Sequence, residues 1–136
     1  MEGDNWTTTG QGKMNPAQYF DQLIVAFPVL KEKIDQWEPD MNHFRMEEFA
    51  VYTQDQISKR DFSELNRCFE FQETRIDNAD DDLLNCLYVS FCESLLLGEM
   101  HKEMPGVVPL MGRKLQKLYR DYESYYNDIV KKLHGN

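Results

Sequence analysis

At 136 residues, 41% of them hydrophobic, the chain is long enough for one domain whose apolar core needs no cross-links. Its net charge of −9 argues against a nucleic-acid backbone or an anionic membrane as partner, since like charge would repel either. Cys68, Cys86 and Cys92 fit neither a CxxC redox pair nor a zinc knuckle, so free buried thiols in a reducing compartment are expected. The acidic N-terminus lacks the basic region and apolar run of a signal peptide, which makes the cytoplasm the expected location.

Residues 1–14 are polar and show no periodicity, so they read as a flexible N-terminal arm with Trp6 as its only anchor, and residues 15–136 as a single domain. Asn15 followed by Pro16 signals a helix start. Tyr19, Phe20, Leu23, Ile24 and Phe27 then share one face until Pro28 stops or kinks the run. A short second helix is expected over Val29 to Trp37, with Leu30, Ile34 and Trp37 inward. Asn42 is a candidate cap for a third, reaching Ser58 with Met46, Phe49, Ala50, Thr53 and Ile57 on its inner stripe. Asp61 and Glu64 have capping-box spacing for a fourth, in which Leu65, Cys68, Phe69, Gln72 and Ile76 face inward.

The segment from Asp82 to Leu97 is the most apolar of all, with hydrophobic residues on every face at helical spacing, and a helix of that kind is a buried one. Asn85 and Glu93 interrupt it, and it falls short of the roughly 20 residues a bilayer requires. Met104, Pro105, Gly106 and Pro109 predict an irregular loop after Gly98. A final helix runs from about Gly112 to Leu133, with Leu115, Leu118, Tyr119, Tyr122, Tyr126, Ile129 and Leu133 on its stripe. No segment alternates long enough to be a strand. The expected fold is therefore all-α, a single-domain bundle of five or six helices around a buried central helix at about 82–97.

Chemistry-bearing motifs are sparse. His43 and Glu47 lie four apart on one helical face, and Glu93 is a carboxylate in the most apolar helix, so a metal-assisted hydrolase using His43, Glu47 and Glu93 is one expectation. The competing expectation is a structural hydrogen-bond network in which Glu93 and Asn85 form a narrow polar stripe meeting His43 or tyrosines. His101 and His134 are the other histidines, and neither has ligand spacing. No GxSxG, GxxxxGK[ST] or GxGxxG motif is present. Tyr119, Tyr122, Tyr125 and Tyr126 could stack bases, but at this spacing they read as packing. Asp80, Asp81 and Asp82 could bind a cation, although acids at a helix start are also favoured by its dipole.

His43 with Glu48-Phe49-Ala50, Leu65 with Phe69, Phe91 through Leu95, and Leu110-Met111-Gly112 together resemble small all-helical bacterial proteins of an uncharacterised domain family, some of which look like immunity proteins for polymorphic toxins. The likeness spans about residues 27–120, and Met111-Gly112-Arg113 stands where that pattern has Leu-Gly-Pro. It implies a cytoplasmic helical binder with no cofactor and supplies no catalytic residues; no metal ligands are assigned either.

Charge suggests where such a binder would act. Residues 15–106 carry −11, whereas residues 107–136 carry +3. The expected function is non-catalytic protein binding: neutralising a cognate, basic protein toxin through an acidic surface, with Glu70, Glu73, Asp77, Asp80, Asp81 and Asp82 as the partner-binding residues. The alternative from another class is an adaptor or regulatory subunit, a homodimer that buries part of the Tyr-rich last helix.

Overall fold

A reciprocal cap fixes where the chain first turns helical. The Asn15 side chain accepts the Gln18 N–H at 2.8 Å, the Gln18 side chain accepts the Asn15 N–H at 3.0 Å, and Pro16 opens α1 (Pro16–Ala26). The computed structural model describes residues 13–134, so Trp6 and the expected arm up to residue 12 lie outside the described residues. Met14 is already bound to the domain. Its N–H donates to Asn78 O at 2.7 Å and its carbonyl accepts from the Asp80 N–H at 2.8 Å, forming an isolated bridge to Ala79.

A 3₁₀ turn at Pro28–Leu30 leads into α2 (Lys31–Asp35), followed by α3 (Asn42–Lys59) and α4 (Phe62–Glu73). Asn42 is the first helical residue and Met41 occupies the cap position, one residue from the expected start. Asp61 does cap α4, accepting the Glu64 N–H at 3.1 Å. The Glu64 carboxylate turns away from that box to accept from Arg67 Nε at 2.9 Å and from the Tyr52 hydroxyl.

Asp80 caps α5 (Asp81–Leu97), accepting the Leu83 N–H at 2.9 Å. The middle of this helix, Leu87–Cys92, is wound as a π-helix and packs against α3 and the last helix. Leu83, Cys86, Leu87, Ser90, Phe91, Cys92 and Leu95 are buried, so α5 is the central element. It is not buried all round: Asp81, Asp82 and Asn85 are exposed near its start and Leu97 at its end.

Two 3₁₀ turns, His101–Glu103 and Val108–Leu110, flank a one-turn helix α6 (Met104–Val107), and α7 (Arg113–His134) completes the bundle. Counting α5 as one element, the described residues form seven helices rather than five or six, and no strand. The extra helix lies where proline and glycine predicted an irregular loop. Pro105 and Pro109 both occupy first-turn positions, where a missing N–H leaves no helical bond unmade, so they start turns instead of breaking them.

Aromatic rings knit the core together. Phe27 lies 5.2 Å from Phe49 and 5.7 Å from Phe71, and Phe49 lies 5.6 Å from Phe91, joining α3 and α4 to α5. The fully buried Tyr19 hydroxyl is satisfied by Gln72 Oε1 at 2.6 Å. All three cysteines are free and buried, and desolvation pushes Cys68 and Cys92 up to about 12 and Cys86 to about 11. Among the described residues no single helix is long and apolar enough to cross a membrane, and Asp81–Leu97 meets the His101–Leu110 segment at 93°.

Candidate functional site

The six carboxylates expected to bind a partner have different surroundings. Glu73, at the end of α4, accepts the backbone N–H of Lys114 at 3.1 Å on one oxygen and that of Leu115 at 2.7 Å on the other. It is thereby the N-terminal cap of α7, delivered from a different helix. Gly112 precedes α7 and has no side chain with which to cap it. A Cβ there would fall 2.3 Å from Glu73 Cδ, so the glycine also makes room for the carboxylate. Asp77 pairs with Lys114 Nζ, and Asp80 caps α5. Glu70, Asp81 and Asp82 are exposed, and no ion pair holds them among the described residues.

A second acidic region lies on α3 and the end of α5. Glu47, Val51, Gln54, Asp55 and Ser58 follow helical spacing along one face of α3 and form one wall of an open groove of about 550 Å³. Glu93, Ser94, Leu97 and the Gly98–Met100 turn form the other. Four carboxylates line it (Glu47, Asp55, Glu93 and Glu99), and no lysine or arginine does. Val51 and Leu97 are 56% and 47% exposed, so apolar surface stands beside the charge.

The floor of this groove is held from within. Gln54 donates to Ala50 O at 3.3 Å and accepts the Met100 N–H at 3.4 Å, tying the turn after α5 to α3. A Cβ on Gly98 would lie 2.2 Å from Gln54 Oε1, so only glycine permits that approach. Glu93 accepts the Tyr122 hydroxyl at 2.7 Å, which anchors one carboxylate to α7. Burial, and then the bond to Glu93, raise the Tyr122 phenol above its ordinary value.

His43, Glu47 and Glu93 are not assembled as one centre. Nδ1 of His43 meets the buried Ser90 Oγ at 2.5 Å in the π-wound part of α5, whereas Glu47 and Glu93 face the groove. Asn85 is exposed and takes no part in a stripe with Glu93. Among the described residues no three His, Cys, Asp or Glu side chains converge in a metal-holding set.

The family described as Domain of unknown function (DUF7674) matches residues 20–127. The chain belongs to the DUF7674 family. No curated protein and no solved structure matches it. Both acidic regions of this DUF7674 domain lie inside the matched residues, and so does the Glu73–Gly112 cap.

Sequence reasoning picked out Glu47 and Glu93 but not Val51, Asp55, Leu97 or Glu99. On α3 the signal was available: Glu47, Val51, Gln54, Asp55 and Ser58 recur on one helical face that mixes acid with an unburied valine. The opposing wall depends on how the chain turns at Gly98, which local pattern does not specify. The capping role of Glu73 had only an indirect sign, a helix start at Gly112 with no capping side chain of its own.

Proposed function

We propose that this DUF7674 domain is a non-catalytic binding protein that captures a basic partner protein through its acidic surface, and that the partner is a toxin which it neutralises. The observation that carries this reading is the charge division: −11 over residues 15–106, with Glu70, Asp81 and Asp82 exposed and outside any ion pair among the described residues. Opposite charge speeds encounter and rejects wrong partners more than it adds affinity, which suits an inhibitor that must reach its target first. The toxin assignment is supported by the resemblance carried by His43, Glu48-Phe49-Ala50 and Phe91 through Leu95.

Co-expression with a basic, toxin-like protein encoded beside this chain tests the proposal. Growth arrest relieved by this chain supports it, and arrest that persists despite a formed complex overturns neutralisation. For the mechanism, replacing Glu70, Asp81 and Asp82 together with lysine slows association and flattens its salt dependence. Insensitivity to both salt and these substitutions overturns the acidic-surface mechanism.

One observation favours the adaptor reading. Beyond Tyr122, α7 contains no fully buried residue, and Tyr125, Ile129 and Leu133 are exposed. A dimer by light scattering at micromolar concentration, lost on Ile129→Lys, supports a self-associating subunit, and a monomer removes that reading.

A further inference from the structure

We infer that the groove between α3 and the end of α5 is a docking site for an amphipathic basic helix of the partner, with aliphatic side chains on one face and lysine or arginine along its flanks. This rests on the proposed capture of a basic protein; it assigns the contact itself to the groove and leaves Glu70, Asp81 and Asp82 to speed the encounter.

Shape, charge and apolar surface each favour such an occupant. From Glu47 to Ser58 the α3 wall extends roughly 16 Å at 1.5 Å per residue, matching about three turns of a guest helix. Val51 and Leu97 expose aliphatic surface on opposite walls, where anchors at i, i+3 or i+4, and i+7 would lodge. Glu47, Asp55 and Glu99 leave negative charge along the rims without a lysine or arginine in the lining. The floor is already tied by Gln54 to Met100 and by Glu93 to Tyr122, so little ordering is needed on binding.

The chain's own segments fit this groove poorly. Residues 1–12 contain Glu2 and Asp4 and no basic residue, so they would meet like charge. In the second half of α7, Lys131 and Lys132 stand near Asp128, which leaves that half a net charge of only +1. A foreign basic helix is the occupant that charge complementarity selects.

The test uses a 14-residue Leu/Lys peptide patterned as an amphipathic helix, and a scrambled peptide of the same composition, both titrated by fluorescence anisotropy at 0.15 M salt. The patterned peptide is expected to bind at least tenfold tighter than the scramble. Leu97→Lys, and separately Glu47→Lys with Asp55→Lys, should remove that preference, while Asp81→Lys with Asp82→Lys should leave it intact. Equal binding of the two peptides, no binding of either, or indifference to the groove substitutions overturns the groove assignment. If the Asp81 and Asp82 substitutions alone abolish binding, the groove assignment falls and the acidic-surface reading stands. All the substituted side chains are at least partly exposed, and an unchanged melting temperature verifies that the variants fold.

Discussion

Between Glu70 and Asp82, three of six carboxylates are engaged by the protein itself: Glu73 caps α7, Asp77 pairs with Lys114, and Asp80 caps α5. In the groove, Glu93 is held by Tyr122, and Glu47, Asp55 and Glu99 make no side-chain hydrogen bond among the described residues. The two regions are alike in a charge count and differ in what their charges touch. A carboxylate that accepts the unpaired N–H groups at a helix start, as Glu73 and Asp80 do, is placed there by that helix, so its presence says little about a partner. A carboxylate on a helix flank beside exposed valine and leucine has no such internal reason.

The largest effect is expected in the core, on which both regions depend. Phe91→Ala removes a fully buried ring packed against Phe49 and should cost about 3–5 kcal/mol in urea unfolding, with both regions lost in one transition. Separate transitions for α3 and α4 would show that the regions rest on different cores.

The Glu73 cap comes next. Glu73→Ala should cost about 1–2 kcal/mol, because two backbone N–H groups lose a charged acceptor. Gly112→Ala should cost a similar amount by displacing Glu73, yet little in the Glu73→Ala background, since the obstructed carboxylate is then gone. Additive losses in the double variant would contradict the cap.

Acid titration offers a smaller test. Arg67, and after it the Tyr52 hydroxyl, hold the Glu64 carboxyl below its ordinary 4.5 despite the opposing effect of burial. Its contribution is therefore full above that value and is lost as pH falls through the lowered one. Glu64→Gln should remove that part of the acid limb, under about 1 kcal/mol for a partly exposed pair. An unaltered profile below pH 4.5 would show that the pair contributes nothing.

The smallest effect belongs to the groove. Glu47→Gln and Asp55→Asn should change stability by no more than about 0.5 kcal/mol, since neither side chain makes a hydrogen bond or ion pair among the described residues. A loss as large as that of Glu73→Ala would erase the distinction between the two regions.

What could be read from sequence follows the same division. The apolar stripes of α1, α3 and α4 and the caps at Asn15 and Asp61 are local and are expressed where their residues predicted them, whereas the α7 stripe is fully buried only as far as Tyr122 and leaves Ile129 and Leu133 exposed. The π-wound turn over Leu87–Cys92 was hidden because an apolar segment looks the same under either winding. α6 was hidden because first-turn prolines resemble breakers. The fates of Glu73 and Asp77 depend on Gly112 and Lys114, about 40 residues away, a pairing that no periodicity announces.

The most direct measurement is a backbone amide NMR titration of the full chain with the patterned Leu/Lys peptide. Shift changes are expected to concentrate on residues 47–58 and 93–100, leaving 70–82 nearly still. Changes centred on Asp80 to Asp82, or spread evenly over every exposed carboxylate, would contradict the groove assignment.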